Sequence, residues 1–489
     1  MKFVGLLVLL VAHVRGSPKP KLVYPRLLEE RSSDGRMVMH LHDDLTLNLR
    51  KASVAAPALR VLTEENGRPV TLFYNGKDID RDLYEDEEKI ATVTVTKSRN
   101  GVLVKGLVGP KHRIQPVPVS AKSEGVLIPH EIHEIEQQEF LDKAVRYRQT
   151  VQGAPSERDS LTGAEIPNTV YVEVFVVLDR AHHRHFQDTM HALWYLCVTI
   201  NAANLRFRAT SNPRVKLLLT GIERSEKEPY IVFSRKEYLF DDATLLKFRD
   251  YALERKDQYG YPDLVYLMTG LDVSTYQDGR FTAGGLGIGY VAGVCSSNFV
   301  ALGEDKAWEF SGMHTLTHEI AHILGAVHDG EGPDVNVPGH PGAANCPWRR
   351  GNIMSYVNKG AAHQQFSKCT LEQIGHVMRR AGEVCWQVVS KGRILRGVYP
   401  GMAVTFREFC SSFANSRKNS TFDYVTVEKD TCKVRCYFYR YEKESIFSEA
   451  ANQRVSFSFK KEALDYMPCG EHEVCIQSVC VKRPAYVDE

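Results

Sequence analysis

Residues 17 to about 160 read as short runs of alternating apolar and polar positions, such as Val70 to Tyr74 and Ala91 to Thr96, broken at Asn75-Gly76 and Asn100-Gly101. A period of two is that of a half-buried strand, and Asn-Gly favours tight turns, so this stretch predicts a β-rich unit. A polar stretch from Gln149 to Glu165, with Gly153, Pro155 and Gly163, predicts an exposed linker. The pattern then changes. Val170 to Leu178 is an apolar strand rich in valine, Ala192, Leu196 and Ile200 recur at helical spacing, and Asp263 to Met268 predicts a further strand with a buried centre. Strands alternating with helices predict an α/β unit over about 165–388. A second loose stretch, Lys391 to Gly401, leads into a tail over 389–489. No internal repeat or low-complexity tract interrupts this order.

The N-terminus carries Lys2, the apolar run Phe3 to Val14, then Gly16 and Ser17. That order predicts a signal peptide over 1–16 and a secreted, extracellular chain. An uncleaved membrane anchor would need about twenty apolar residues, and no later stretch reaches that length. At 489 residues, several domains are expected. The net charge of +2 gives no reason to expect a nucleic acid or an anionic membrane as partner. The 11 cysteines sharpen the division: none precedes Cys197, five lie between Cys197 and Cys385, and six crowd the tail from Cys410 to Cys480. Six in so short a secreted segment predict a small disulfide-rich domain, because little apolar core is available there. The odd five leave one thiol over, which spacing alone does not identify.

The chemistry lies in His318-Glu319-Ile320-Ala321-His322-Ile323-Leu324-Gly325-Ala326-Val327-His328. On a helix, His318 and His322 stand about 40° apart on one face, where two imidazoles can bind one Zn²⁺. Met313, Leu316, Ile320 and Ile323 mark the opposite, buried face. Gly325 can take positive φ, end the helix and turn the chain so that His328 becomes the third ligand. A fourth position left open to water marks a catalytic site rather than a structural one. Glu319, beside the first ligand, is placed to take a proton from that water, whose pKa zinc lowers toward about 7. His182, His183 and His185 follow a strand and are expected to be exposed. His314, one turn before His318, is expected near the ligands or at the surface. Pro129-His130-Glu131-Ile132-His133 imitates the motif but lacks the trailing glycine and histidine.

Asn352-Ile353-Met354-Ser355-Tyr356 follows, with Met354 26 residues beyond His328. Together the two motifs resemble the metzincin clan of zinc metalloproteases, and Asp329 after the third histidine narrows the resemblance to the reprolysins, the adamalysin and ADAM-type enzymes. Further matches are Gly285-Leu286-Gly287-Ile288-Gly289-Tyr290 with Cys295, and Phe366-Ser367-Lys368-Cys369. The resemblance covers most of 165–388. It implies a mixed, mostly parallel twisted sheet with an active-site helix, one catalytic zinc, and room for a structural Ca²⁺. It also implies Met354 as floor of the metal site and 285–290 as an edge strand on which an extended protein substrate pairs. The same similarity implies Cys295–Cys385 and Cys346–Cys369 disulfides, which leaves Cys197. A buried free thiol is the preferred reading of Cys197, with intermolecular pairing as its rival.

The cysteine-free unit, with Val23-Tyr24-Pro25-Arg26-Leu27 near its start, resembles a reprolysin propeptide over 17–160, and the chain would then be a zymogen. It lacks the cysteine that many relatives use to block zinc. Latency is therefore expected to come from a prodomain covering the cleft; His130, His133 or a nearby glutamate is a candidate contact to the metal, against the alternative of surface residues on a prodomain turn. Arg146-Tyr147-Arg148 is the nearest candidate for processing. The tail resembles a shortened disintegrin-like and cysteine-rich extension, expected to contribute an exosite; no Arg-Gly-Asp occurs, and Asn419-Ser420-Thr421 is the single sequon. The layout resembles salivary metalloproteases of blood-feeding ticks, which implies host matrix or clotting proteins as substrates. The competing reading is a binding protein whose tail acts while the catalytic unit is scaffold. Hydrolysis of a small amide is a third. Intact Glu319 favours an endopeptidase.

Overall fold

The computed structural model describes residues 19–29, 36–65, 68–98, 101–117, 127–136, 142–147, 165–235, 237–277, 279–285, 287–390, 400–414, 420–442, 453–476 and 478–483. The expected signal peptide, most of the expected linker, Arg148, Leu286 and Asn419 lie outside the described residues.

An eight-stranded sheet carries the site. Its strands are β1 (Ala55–Glu65), β2 (Arg68–Asn75), β3 (Asp142–Val145), β4 (Thr169–Leu178), β5 (Arg214–Arg224), β6 (Leu264–Thr269), β7 (Gly287–Tyr290) and β8 (Val300–Glu304), in the spatial order β3-β7-β8-β6-β4-β5-β1-β2. The centre is parallel: β8, β6, β4, β5 and β1 pair in one direction, whereas β7 runs antiparallel to β8. Parallel strands are covered on both faces, which is why every residue from Val172 to Leu178 is buried without alternating exposure. Packed on the sheet are α1 (Thr189–Phe207), α2 (Asp241–Glu254) and α3 (Met313–Ile323), and α4 (Lys368–Arg380) adds Ile374, Val377 and Met378 to the same apolar core. Asp188 caps α1 through the His191 amide, and Ser367 caps α4 through the Thr370 amide.

Three of these eight strands come from the stretch read from sequence as propeptide. The hairpin β1–β2 extends one edge of the sheet beside β5, and β3 extends the other beside β7. Leu59, Val61, Ile79 and Leu83 share one apolar core with β4, α1 and α3. The rest of the N-terminal unit forms a nine-stranded antiparallel sheet with its own core, including Met39, Leu47, Val93, Val104 and Ile114. Sequence alone drew a boundary near 160 because alternation is local information, while strand partners are chosen across the whole chain.

Two turn expectations fared differently. Ser98 pairs with Gly101, and Asn100 lies outside the described residues. Asn75-Gly76 instead starts a helical turn, Gly76–Ile79, capped by the Asn75 side chain. A Cβ on Gly76 would lie 2.2 Å from the Ala56 carbonyl oxygen, so close backbone approach is what glycine supplies there.

After α4 the tail holds helix Phe406–Ala414 and two three-stranded antiparallel sheets, 421–462 and 468–482. Disulfides join Cys410 to Cys436, Cys432 to Cys475 and Cys469 to Cys480. Before the tail Cys295 is joined to Cys385 and Cys346 to Cys369, so no bridge crosses residue 390. Cys197 is buried and free. Its thiol hydrogen-bonds Asp80, whose Oδ2 also accepts from Ser53 and from the Val54 and Ala55 amides. Cys197 thus faces the N-terminal unit. Among the described residues no helix is long and apolar enough to cross a membrane.

Candidate metal centre

Gly312 immediately precedes α3, and its N–H donates to Asp305 Oδ1 at 2.8 Å. His318 and His322 stand on one face with ring centroids 4.8 Å apart. The helix stops at Leu324, and Gly325 follows with φ +106°. A Cβ at Gly325 would lie 2.3 Å from Val377 Cγ2 on α4, so both conformation and space demand glycine here. The turn returns His328 to the other two rings, with its centroid 5.4 Å from that of His318 and 4.7 Å from that of His322.

Each ring is oriented from its far side. His318 Nδ1 donates to the Ile353 carbonyl at 2.8 Å, and His322 Nδ1 to the Ala326 carbonyl at 2.7 Å. His328 Nδ1 is 2.7 Å from the Tyr356 hydroxyl. For His318 and His322 these bonds fix the tautomer and leave the Nε2 lone pair free, the arrangement that suits a metal ligand. The Met354 segment acts here directly: Ile353 holds His318, Met354 is fully buried, and the Met354 carbonyl accepts from the Asp329 amide at 2.8 Å. The Asp329 side chain accepts from Ser367, which caps α4 and so ties the turn to that helix.

The three Nε2 atoms converge. His318 Nε2 is 3.1 Å from that of His322 and 3.3 Å from that of His328. A fourth donor completes the group, and it is not one that sequence pointed to. Asp142 Oδ2, on β3, lies 2.9 Å from His318 Nε2, 3.1 Å from His322 Nε2 and 2.6 Å from His328 Nε2. Donors about 2.0–2.1 Å from a tetrahedral zinc stand roughly 3.3 Å from one another, so three imidazoles and one carboxylate at these spacings fit that ion. The other two close groups of ligand atoms among the described residues consist largely of disulfide sulfurs, and neither is an oxygen set of the kind calcium takes.

Glu319 lies against β7. A Cβ on Gly287 would fall 2.5 Å from Glu319 Oε1, and one on Gly289 would fall 3.1 Å from Oε2, so these glycines make room for the carboxyl. Both its oxygens are buried without a hydrogen-bond partner. Burial, and then the charge of Asp142, push its carboxyl well above the usual range. Burial opposes ionisation of Asp142 as well, but the charges of His318 and His328 outweigh it and hold that carboxyl well below its ordinary value.

Every residue from Met313 to Ile323 is buried, with β3 of the N-terminal unit paired along β7, the strand against which Glu319 lies. Other expectations are corrected. His130 does not reach the metal centre. Strand alternation turns it into the N-terminal unit's core, where Nε2 accepts from the Val104 amide and Nδ1 donates to the Ile128 carbonyl. His133 pairs with Glu131 instead. His182 and His183 are buried rather than exposed: Asp179 caps the short helix Arg180–His183, His182 Nε2 meets Asp305 at 2.7 Å, and His183 donates to the Ser225 carbonyl. His314 is buried, its ring stacked on His363 with centroids 4.1 Å apart. Tyr356 is the second site residue that sequence reasoning missed; its place two residues after Met354 was the available signal.

Three histidines on a helix and its return turn, with an adjoining glutamate, define a metalloendopeptidase, and known proteins agree. A family model described as metallo-peptidase family M12B, reprolysin-like, matches residues 194–329. An antarease-like venom metalloproteinase of Tityus fasciolatus is 30% identical over 230 residues, covering 44% of this chain and 95% of its own. The venom metalloproteinase BumaMPs1 of Olivierus martensii is 26% identical over 394 residues, 77% of this chain and 95% of its own. A Bombyx mori protein named as like a disintegrin and metalloproteinase with thrombospondin motifs is 24% identical over 464 residues, 82% of this chain; the chain spans 64% of that relative's length. This chain belongs to the reprolysin-like M12B metallopeptidases.

Proposed function

We propose that this chain is the secreted precursor of a zinc endopeptidase that cuts internal peptide bonds of extracellular proteins. Supporting this above all is the convergence of three Nε2 atoms beside an unpartnered buried glutamate. His318, His322 and His328 would hold the zinc, which supplies polarisation of a peptide carbonyl and a water of lowered pKa. Glu319 takes the proton from the attacking water and passes it to the leaving amine. β7 offers backbone groups to which an extended substrate adds as a strand once β3 is gone. Five disulfides and venom metalloproteinases among the relatives support export. Host matrix and clotting proteins remain the proposed substrate class, with the tail as a candidate exosite.

The experiment is Glu319→Ala in the full-length chain, folded first and then processed by a cut between residues 148 and 164. Hydrolysis of a quenched peptide should fall by about 10²–10⁴-fold, with zinc content unchanged. Normal turnover, or loss of the metal, would refute the assignment.

A further inference from the structure

The N-terminal unit has no cysteine, yet one of its side chains reaches the metal centre. Asp142 Oδ2 is within 3.1 Å of all three histidine Nε2 atoms. The chain around it is anchored at every position. Asp142 to Val145 pair in parallel with Gly287 to Tyr290, the stretch proposed to receive substrate. Lys143 bonds Asp242 at the start of α2. The Val145 carbonyl accepts from the Val291 amide at 3.0 Å, Arg146 donates to Glu331 at 2.7 Å, and Tyr147 meets Tyr290 edge to face.

We propose that Asp142 is the fourth zinc ligand of the latent protein and that residues 142–147 are the strap that holds it there. The strap takes the substrate's edge, but it delivers a side-chain carboxylate, not a backbone carbonyl, to the centre. No peptide bond is presented where Glu319 could assist its hydrolysis, and the position that water needs is filled. A carboxylate performs the service because oxygen is an accepted zinc donor at the same distance as nitrogen. Cys197 has no part in it, since its thiol is buried against Asp80. The inference rests on the zinc endopeptidase reading, which the test separates from it.

The full-length chain, loaded with cobalt(II) in place of zinc, is titrated with acetohydroxamate, a small chelator of open metal sites, and followed by the cobalt visible spectrum. The wild type should resist the chelator. Asp142→Asn keeps the side-chain shape, and Asp142→Ala removes the ligand; both should shift the spectrum and bind the chelator at least tenfold more tightly. Lys143→Ala loosens the strap without touching the metal and should leave the unliganded spectrum as in the wild type. A mercurial should leave the wild-type spectrum unchanged. Identical spectra and titrations in the wild type and both Asp142 variants overturn the proposal, as does a wild-type centre opened by the mercurial. If the processed chain cleaves no peptide, the endopeptidase reading fails, while the cobalt spectra still decide the role of Asp142.

Discussion

The N-terminal unit grips the catalytic sheet at both edges, and the two grips are built differently. At the β1–β2 edge the attachment is apolar: Leu59 and Val61 are fully buried in the catalytic core, and Arg60 donates to the Gln258 carbonyl at 2.9 Å. At the β3 edge four residues pair with β7, Tyr147 packs edge to face on Tyr290, and the charged anchors beyond Asp142 are half-exposed ion pairs, Lys143–Asp242 and Arg146–Glu331. An apolar interface must be unfolded to be lost, whereas a short strand with solvent-reachable charges can be peeled away alone. The difference teaches that the two grips can fail independently, one by unfolding and the other by peeling.

The largest expected effect tests the apolar edge. Leu59→Ala should cost the full-length chain about 2–5 kcal/mol, the usual range for emptying a buried leucine site. A calorimetric scan beside Asp142→Asn would show the hairpin variant melting much earlier. An unchanged melting temperature would mean that the hairpin is only laid against the sheet.

A smaller effect tests the polar contacts between the edges. Glu85 accepts from Arg208, Arg50 and Asn201. Burial works to raise its pKa, but Arg208 and the other donors prevail, so it lies below the ordinary 4.5. A depressed folded-state pKa stabilises docking above about 4.5, and the stabilisation is lost as pH falls through the docked value. Charge-assisted hydrogen bonds of this kind are worth about 1.5–3 kcal/mol. After a cut between residues 148 and 164, the N-terminal fragment should co-elute with the catalytic unit at pH 7 and separate as pH falls below 4.5. Retention that is stronger in acid would contradict the sign.

The smallest concerns the β3 edge alone. Arg146→Ala removes one exposed ion pair, worth about 0.2–1 kcal/mol. Global melting should barely change, while amide exchange at residues 143–147 should quicken by up to about fivefold. Equal exchange in both proteins would move the anchoring elsewhere.

How much of this was readable beforehand follows from distance along the chain. His318, Glu319, His322, Gly325 and His328 occupy one helix and its turn, so spacing alone declared them. Asp142 stands 176 residues from His318, and nothing around it resembles a ligand motif. His130-Glu131-Ile132-His133 looked more like one, and failed because a strand's alternation sends His130 inward. His182 misled for the same reason as Asp142: its partner Asp305 is 123 residues away. The apolar runs of β4 and β6 announced strands well, because burial on both faces leaves a continuous signature; the hairpin that joins their sheet carried no mark of which sheet it would join.

That borrowed hairpin bears on how the protein is handled as well as how it is governed. A bare sheet rim exposes unpaired amides and carbonyls to any passing strand, and long apolar rims are the usual starting points of aggregation. Without its N-terminal companion, the catalytic sheet would end at β5, eleven residues long and holding Val215, Leu217, Leu219 and Ile222, and at β7 on the other side. Expression begun at residue 165 should therefore give inclusion bodies, and supplying residues 17–160 as a separate chain should return soluble material.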